Sequence, residues 1–396
     1  MNDNSCAIVI PSRIGSNRLP NKPLLNVAGK PLISWVIEAA FKVDFKPEVI
    51  VATDDKRIKK IAESLGAKSI MTSKDCKNGT ARILEIIDEI DTEFIINLQG
   101  DEPLVSQNDL NNLFSAIKSR NNDIVSICHQ IDDSEAADPS AVKVVFDFNH
   151  NALYFSRAKI PYGSESFFCH KGIYAFKKES LQKIRNLKSS ILGNLEDLEQ
   201  LQWLENNMSI NMLITKDKSI GVDTQDDLLK AENALMANNI KALICDIDGT
   251  LTNGLLWYGE NGEELKCFNV KDGWAIKKLL MKGFKIGFLS GRDSRPLRRR
   301  ALELGVKFIK FGQSDKNKGC IELLNEMGLV PSDVAYIGDD ETDIPCCKTI
   351  PFSFSVNNSH IDLKRIARFN LKRNGGEGVV AEFIEKLNFL STNLNL

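Results

Sequence analysis

The chain has 396 residues, of which 43% are hydrophobic and 26% charged, and its formal net charge at pH 7 is −2. This length predicts two domains or one large domain, and this composition excludes a mostly disordered chain, a collagen-like chain and a small disulfide-linked scaffold. The small net charge offers no broad basic surface, so we expect neither nucleic acid nor a lipid surface as a partner.

Two further features concern location. No apolar run reaches the ~18 residues of a membrane-spanning helix, and the first six residues lack the basic start and apolar core of a signal peptide. The nine cysteines are scattered without a CxxC pair, which favours reduced thiols. We therefore expect a cytoplasmic protein without membrane attachment.

Short apolar runs alternate with helical patterns along the first half of the chain. This rhythm is typical of βαβ units and predicts a doubly wound α/β sheet. The predicted strands are residues 7–10, 49–52, 94–98, 124–127 and 142–146, and the predicted helices include residues 32–41 and 57–65.

The rhythm restarts at residues 242–245, after a polar helical stretch over 226–236. We therefore predict two α/β domains, residues 1–239 and 240–396. In the second domain the predicted strands are residues 286–289, 308–311 and 334–337, and the predicted helices are residues 272–282 and 316–327.

A cationic loop follows the first predicted strand. Arg13, Arg18 and Lys22 lie within ten residues of one another, and Gly15 and Ser16 leave the backbone accessible. Amides and cationic side chains together neutralise clustered anionic oxygens, so this loop indicates a polyphosphate site. A solvated basic loop is the alternative.

Two aspartates follow other strands of the same half. Asp101 comes three residues after the run at 94–98, and Asp223 follows a second strand-like run. Carboxylates at strand ends are suitable Mg²⁺ ligands, and the ion would neutralise charge on a departing pyrophosphate. Asp223 can also act as the N-cap of the helix that follows it.

The first half resembles the 3-deoxy-manno-octulosonate (KDO) cytidylyltransferase family over about residues 6–236. The matching segments include the loop at 13–24, Asn78-Gly79-Thr80-Ala81-Arg82, residues 98–103, Tyr154-Phe155-Ser156-Arg157, His170-Lys171-Gly172-Ile173-Tyr174 and residues 198–201. The resemblance implies that a sugar acid attacks the α-phosphorus of CTP and that pyrophosphate leaves. It implies CTP contacts from Arg13, Ser16, Arg18, Lys22, Arg82 and Gln99, with Lys22 also catalytic. It implies Mg²⁺ on Asp101 and Asp223, and sugar-acid contacts from Arg157, His170, Tyr174, Glu199 and Gln200.

The second half opens on Asp246-Ile247-Asp248-Gly249-Thr250. Two carboxylates two residues apart can converge on one phosphate, one as nucleophile and one as acid and base. Ser290 offers a hydroxyl to phosphoryl oxygens, Lys316 an ammonium, and Asp339 with Asp340 and Asp343 carboxylates for Mg²⁺. These four motifs in this order predict phosphoryl transfer.

This half resembles the haloacid dehalogenase phosphatases, and most closely KDO-8-phosphate phosphatase, over about residues 241–390. The resemblance implies Asp246 as nucleophile, Asp248 as acid and base, Ser290 and Lys316 as phosphate ligands, and Mg²⁺ on Asp246, Asp339 and the Asp248 carbonyl. Residues 255–267 are too short for a cap domain and predict a β-hairpin. Uncapped relatives close their sites with neighbouring subunits, so we expect a tetramer-like homo-oligomer, with Arg292 and Lys266 as substrate contacts.

The two halves together predict a bifunctional enzyme. The phosphatase would release a KDO-like acid from its 8-phosphate, and the cytidylyltransferase would join that acid to CMP for a lipopolysaccharide or other surface glycan. The alternatives are a sialic-acid-type cytidylyltransferase with a paired phosphatase, and a C-terminal half that serves only oligomerisation.

Overall fold

The computed structural model describes residues 6–391 except Asn17, Lys218 and Asn261. The chain divides into two compact units between Ala231 and Glu232. This division lies within a helix that runs from Gln225 to Asn239, so the domain boundary at 239/240 stays a prediction. Among the described residues, no helix combines the length and apolarity that crossing a membrane requires.

The first unit is a mixed sheet of nine strands with helices packed on both faces. The sheet order is β11-β7-β10-β6-β1-β4-β5, and β8 joins β10 to β9. Its strands are β1 (Cys6–Ser12), β4 (Glu48–Thr53), β5 (Lys68–Met71), β6 (Phe94–Asn97), β7 (Ile124–Ile131), β8 (Lys143–Phe146), β9 (Ala152–Ser156), β10 (Phe167–Lys177) and β11 (Ile210–Thr215), with β2 (Asn26–Val27) and β3 (Lys30–Pro31) as a separate ribbon. Its helices are α1 (Leu32–Phe41), α2 (Lys56–Ser64), α3 (Gly79–Ile86), α4 (Gln107–Ser119), α5 (Asp133–Ala136), α6 (Lys178–Ile184), α7 (Ile191–Glu196), α8 (Glu199–Glu205) and α9 (Gln225–Asn239).

The centre of this sheet sets the position of the site. All seven residues of β1 are buried, and the strand runs parallel to β4 on one side and β6 on the other. Burial on both faces explains why β1 is an unbroken apolar run rather than an alternating one. Open α/β sheets bind ligands beyond the carboxyl ends of strands, where the strand order reverses. In this unit that point lies after Ser12.

The second unit is a parallel sheet of six strands in the order β16-β15-β12-β17-β18-β19. Its strands are β12 (Ala242–Asp246), β15 (Lys285–Leu289), β16 (Phe308–Lys310), β17 (Val334–Gly338), β18 (Phe352–Ser355) and β19 (Phe369–Asn370), with the hairpin of β13 (Trp257–Gly259) and β14 (Gly262–Leu265) beside it. Its helices are α10 (Val270–Met281), α11 (Arg295–Leu304), α12 (Lys316–Met327), α13 (Ile344–Thr349), α14 (Ile361–Ile366) and α15 (Val379–Leu390).

The predicted α/β architecture is confirmed in both halves, including the helices at Leu32–Phe41 and Lys316–Met327. The hairpin predicted within residues 255–267 is also present. The sequence analysis did not predict β9, β10 or β11. β10 carries His170 and Lys171 in its middle, and these polar residues obscure the apolar alternation of a strand.

Candidate functional sites

A cavity of about 380 Å³ opens beyond the carboxyl end of β1, which is a usual size for a ligand cleft. The loop after β1, the start of α3 and the turn after β6 form its walls. All six residues predicted to hold nucleotide line it, together with both aspartates predicted to hold Mg²⁺. The lining residues are Pro11, Ser12, Arg13, Gly15, Ser16, Arg18, Lys22, Pro23, Cys76, Lys77, Asn78, Gly79, Arg82, Gln99, Gly100, Asp101 and Asp223.

Lys22 joins the two aspartates at the floor of this cavity. Its Nζ donates to Asp101 Oδ2 at 2.6 Å, to Asp223 Oδ1 at 3.0 Å and to the Val222 carbonyl at 2.8 Å. Burial lowers the pKa of Lys22, but the two carboxylates outweigh burial and hold that pKa above its ordinary value. Arg18 Nη2 lies 3.1 Å from Asp223 Oδ2. The carboxylates of Asp101 and Asp223 therefore meet here, as the sequence predicted, but Asp223 lies in an extended loop eight residues beyond the end of β11 (Ile210–Thr215) and not at a strand end.

Arg82 reaches the cavity from inside the protein. It is only 2% exposed, donates from Nη1 to the Thr72 hydroxyl and places Nη2 3.7 Å from Asp54 Oδ2. Among the described residues, Nη2 has no hydrogen-bond acceptor. A buried guanidinium with an unused donor suits an anionic ligand, because an unmade bond at a buried charge costs free energy.

A buried polar group on β10 and α8 contains most of the predicted sugar contacts. His170 Nε2 lies 2.9 Å from Ser126 Oγ, and Gln200 donates to the Tyr174 hydroxyl. Burial lowers the pKa of His170 to about 3, so its imidazole is neutral at physiological pH. Gln200 Oε1 has no donor among the described residues. The group offers a polyol neutral donors and acceptors.

Glu199 lies between this polar group and the cavity. It accepts from Asn78 Nδ2 at 3.0 Å, and Asn78 lines the cavity. Burial raises the pKa of Glu199 to about 7, against a hydrogen bond from Thr80. The sequence analysis quoted the segment at 78–82 but selected only Arg82. The N-cap position of Asn78, before an apolar helix, was the signal for a polar side chain at this edge.

Arg157 is held by its own chain rather than by the polar group. Its Nε donates to the Glu196 carbonyl at 2.8 Å, and its terminal nitrogens lie 3.3 Å from the carbonyls of Pro139 and Asp197. These bonds occupy the guanidinium fork that a sugar carboxylate would need. A sugar contact from Arg157 therefore stays a prediction.

The second site lies beyond the carboxyl end of β12, where four separate elements contribute side chains. Lys316, at the first turn of α12, donates at 2.7 Å both to Asp246 Oδ1 and to Asp343 Oδ1. Carboxylate oxygens of Asp246, Asp339 and Asp343 lie within 4.8 Å of one another. The arrangement is a compact carboxylate cluster with a single ammonium beside it.

This cluster is short of positive charge. Burial, with Asp343 next to it, raises the pKa of Asp246 well above its ordinary value, although Lys316 opposes the rise. Burial raises the pKa of Asp339 to about 6. The buried Oδ2 of Asp246 has no donor among the described residues. Carboxylate oxygens in such a cluster are the ligands that Mg²⁺ prefers, so the residues fit a divalent cation.

Asp343 is an organiser of this cluster. It accepts from the Tyr336 hydroxyl at 2.6 Å and from the backbone amides of Asp339 at 2.9 Å and Asp340 at 3.1 Å, besides Lys316. These four donors hold the Asp343 carboxylate in place, and its predicted role as an Mg²⁺ ligand stays a prediction. Sequence reasoning missed Tyr336 because it lies inside an apolar strand.

Asp248 points to the other side of the site. It forms an ion pair with Lys266, whose side chain is fully buried, and lies 3.4 Å from Ser290 Oγ. Arg292 Nη1 lies 3.2 Å from the Tyr258 hydroxyl on β13. The hairpin thus contacts the predicted substrate residue Arg292 through Tyr258, and the segment after the hairpin supplies the other predicted substrate residue, Lys266.

A glycine segment from late in the chain packs on the loop after β12. Gly376 donates to the Thr250 carbonyl at 2.9 Å, and Asn269 Nδ2 donates to the Gly376 carbonyl at 2.9 Å. A Cβ at Gly375 would lie 1.6 Å from the Gly249 carbonyl oxygen. The start of α15 is fixed nearby by Asp272, whose Oδ1 accepts from the Val380 amide at 2.7 Å.

Family models match two parts of the chain. A profile described as cytidylyltransferase matches residues 7–210, and one described as haloacid dehalogenase-like hydrolase matches residues 308–384. The 3-deoxy-manno-octulosonate cytidylyltransferase of Escherichia coli is 40% identical over 238 residues, which cover 59% of this chain and 96% of that protein. The 8-amino-3,8-dideoxy-manno-octulosonate cytidylyltransferase of Shewanella sp. (strain ANA-3) is 39% identical over 58% of this chain and 97% of that protein.

Two solved structures are also similar. A CMP:2-keto-3-deoxy-manno-octonic acid synthetase in complex with CTP is 40% identical, with a TM-score of 0.57, over 59% of this chain and 98% of its own. The cobalt-bound deoxy-D-mannose-octulosonate 8-phosphate phosphatase of Haemophilus influenzae is 38% identical, with a TM-score of 0.38, over 39% of this chain and 91% of its own.

Proposed function

We propose two linked activities for this chain, which belongs to the cytidylyltransferase family and carries a second, haloacid dehalogenase-like hydrolase domain. The first activity transfers a cytidylyl group from CTP to KDO or a close 2-keto-3-deoxy sugar acid. The second hydrolyses the 8-phosphate of that acid. The product of the second reaction is the acceptor of the first, which gives one chain two consecutive steps towards a surface glycan precursor.

The convergence of cations and carboxylates in the β1 cavity carries the first assignment. Arg13, Arg18 and Lys22 supply positive charge for a triphosphate, and Arg82 has a buried donor to spare. The anomeric hydroxyl of the sugar acid attacks the α-phosphorus, the bond to the β-phosphate oxygen breaks, and pyrophosphate leaves. The residues mainly bind and orient the two substrates for this attack.

Asp101 and Asp223 would hold Mg²⁺ in this cavity. The ion would neutralise charge on the triphosphate and on the departing pyrophosphate. Lys22 would then exchange part of its contact with the two carboxylates for a contact with phosphate oxygens. Its flexible stem and its position between the two aspartates suit that change of partner.

Asp101→Ala tests this assignment. The purified full-length variant should release no pyrophosphate from CTP and the sugar acid, while it still releases phosphate from the sugar 8-phosphate. Asp226→Ala is the matched control, because Asp226 is an exposed aspartate whose partner is Lys230 on α9. Pyrophosphate release by Asp101→Ala at the parental rate would contradict the assignment.

The carboxylate cluster at β12 carries the second assignment. Asp246 attacks the phosphorus of the sugar phosphate, and Asp248 protonates the leaving sugar oxygen and later takes a proton from the attacking water. Lys316 and Ser290 hold the phosphoryl oxygens. Asp246, Asp339 and the Asp248 carbonyl would hold Mg²⁺, which would offset the charge of nucleophile and phosphate.

Asp246→Asn tests the second assignment. This variant keeps the side-chain volume and should lose phosphate release from KDO 8-phosphate, whereas pyrophosphate release by the first unit should continue. If phosphate release is unchanged, Asp246 is not the nucleophile. The same experiment tests the alternative that the C-terminal half serves oligomerisation alone. That alternative predicts that even the parent chain releases no phosphate.

The identity of the sugar acid is the finer part of the proposal. The relatives named above act on 3-deoxy-manno-octulosonate and on its 8-amino-3,8-dideoxy analogue at similar identity, and both are consistent with the neutral polar group around His170. A panel of these two acids and a sialic acid, scored by pyrophosphate release, separates them. Preference for sialic acid would overturn the proposed substrate class.

The proposal includes a homo-oligomer formed through the second unit. Trp257, Tyr258 and Leu265 of the hairpin are each more than 60% exposed, and Trp274 on α10 is 64% exposed. Exposed apolar groups of this size mark association surfaces. Sedimentation of the full chain should give an assembly, tetrameric by the family resemblance, and Trp257→Lys should shift it towards monomer. A monomeric parent would refute this part.

The predicted boundary at 239/240 is testable in the same way. Residues 1–239 and 240–396 should each fold when expressed separately, because each contains a complete sheet. If either fragment unfolds without cooperativity, the predicted boundary at 239/240 is wrong.

A further inference from the structure

We propose that Lys171 is a positioning residue for cytidylyl transfer, because it anchors the segment at 216–223 that presents Asp223 to the cavity. The inference rests on the proposed function in one respect, namely that Asp223 is an Mg²⁺ ligand. The sequence motif His170-Lys171-Gly172-Ile173-Tyr174 predicts sugar contacts from His170 and Tyr174 but no role for Lys171. The structure gives it a separate environment, on the other side of the sheet from His170.

Strand alternation places Lys171 there, because consecutive residues of β10 face opposite sides of the sheet. His170 pairs with Cys128 and Lys171 with Ile127, but the next pair joins Tyr174 to Ser126, so the register shifts between Lys171 and Tyr174. Bulges are common beside active sites, where they turn side chains into new directions. Here the irregularity follows directly after Lys171, whose ammonium contacts α4, away from the group around His170.

The ammonium of Lys171 is buried and paired. Its Nζ lies 2.9 Å from Asp109 Oδ2 on α4, and both side chains are 3% exposed. It also donates to the Asp217 carbonyl at 2.6 Å. A buried ion pair is weak evidence for stability, because desolvation can exceed the attraction between the charges. We therefore assign the role of Lys171 to its second partner, the backbone carbonyl of Asp217.

The segment at 216–223 needs such an anchor. Its described residues form no helix or strand, and a few contacts therefore fix its path. At one end, the Asp217 carboxylate accepts from Ser106 and the Asp217 carbonyl from Lys171. At the other end, the Val222 amide donates to the Asp101 carbonyl at 2.9 Å. Between the two ends, Ser219 binds the buried carboxyl of Glu102.

These contacts fix how Asp223 approaches Asp101. Lys22 contacts both carboxylates only because Val222 and Asp223 lie across the cavity from Asp101. If the Lys171 end of the segment is released, Asp223 loses its fixed distance from Asp101. Partners that orient metal ligands typically change metal affinity by ~10–100-fold when they are removed.

The test compares two buried lysines of the same sheet. Lys171→Met with Asp109→Leu removes both charges of the pair and leaves apolar side chains of similar size, which avoids an unpaired buried carboxylate. Lys143→Met is the matched control, because Lys143 is also fully buried and donates to two carbonyls, those of Asp138 and Arg157, outside the segment. Both variants are made in the full chain.

Three measurements are made on each variant. We expect the Mg²⁺ concentration for half-maximal pyrophosphate release to rise about tenfold or more in the double variant, with phosphate release by the second unit unchanged. Hydrogen exchange of the peptide containing residues 216–223 should become at least about tenfold faster. In Lys143→Met the Mg²⁺ requirement and the hydrogen exchange of this peptide should stay at the parental value, even if the thermal midpoint of that variant falls.

Two results would overturn the proposal. One is a folded double variant with parental exchange at 216–223 and a parental Mg²⁺ requirement. The other is an equal change in both variants, since that indicates a general loss of stability. If the parent releases no pyrophosphate at all, the proposed function fails, and the exchange measurement still decides whether Lys171 anchors the segment.

Discussion

Gly249→Ala should disable phosphate release because its Cβ would overlap the Asp339 carboxylate. Gly249 follows Asp248 with φ +89°, and a Cβ there would lie 2.0 Å from Asp339 Oδ2. Real Cβ contacts are essentially never under 3.0 Å, so the Asp339 carboxylate must move by about 1 Å. A displacement of that size at a reacting centre costs ~10²-fold in rate.

The backbone effect of the same substitution is separable. Alanine at a left-handed φ costs roughly 1–2 kcal/mol relative to its preferred conformations. Gly283 has φ +85° with nothing within 4 Å of its Cβ position. Gly283→Ala therefore carries the same backbone strain without the overlap, and the difference between the two variants isolates the displacement of Asp339.

The assay is phosphate release from the sugar 8-phosphate, with pyrophosphate release by the first unit of the same chain as an internal standard. Gly249→Ala should fall to about one hundredth of the parent in kcat/KM. Gly283→Ala should stay within about threefold of the parent, because its strain affects folding and not the site. Equal phosphatase activity in the two variants would refute the role assigned to the Gly249 approach.

Three other outcomes follow from the geometry. Tyr336→Phe removes one of four donors to Asp343, worth about 1–1.5 kcal/mol, so phosphatase kcat should fall roughly tenfold with little change in KM; an unchanged kcat would show that the hydroxyl is dispensable. Lys22→Met removes the ammonium that lies between Asp101 and Asp223 and that would contact phosphate oxygens of CTP. Its kcat/KM for CTP should fall by at least ~100-fold, and titration calorimetry should show weaker CTP binding; parental binding would contradict this. Burial lowers the pKa of His170 to about 3, so between pH 6.5 and 3 the imidazole is protonated in the unfolded state and neutral in the folded state. The free energy of unfolding therefore decreases as the pH is lowered, by roughly 2 kcal/mol from pH 6.5 to 5. Urea unfolding of His170→Gln should show a flatter pH dependence, and an identical slope would indicate that His170 already protonates in the folded state.

The site residues that could be predicted from the sequence are those whose side-chain chemistry the reaction requires and which lie near the end of a strand. Asp101 and Asp246 follow fully buried strands, and the structure places each beside the cation that the motifs also indicated, Lys22 and Lys316. Parallel strands bring their carboxyl ends to one edge, so order along the chain was enough to predict proximity.

Residues that act across the sheet were not predictable in this way. Lys171 and Asp109 are distant in sequence, and their pairing depends on the packing of α4 against β10. The partners of Arg157 were equally invisible, because they are backbone carbonyls of a turn after α7. Local pattern carries no information about which carbonyl a long side chain will reach.

The glycine segment that packs on the loop after β12 has a consequence for synthesis of the chain. Gly375 and Gly376 contact Gly249 and Thr250, more than a hundred positions earlier. The residues that line the cavity beyond β1 end at Asp223, so the ribosome adds all of them well before it adds Gly375 and Gly376. The cavity of the first unit can therefore be complete while the loop after β12 still lacks these glycine contacts, so the site of the later proposed step can form first.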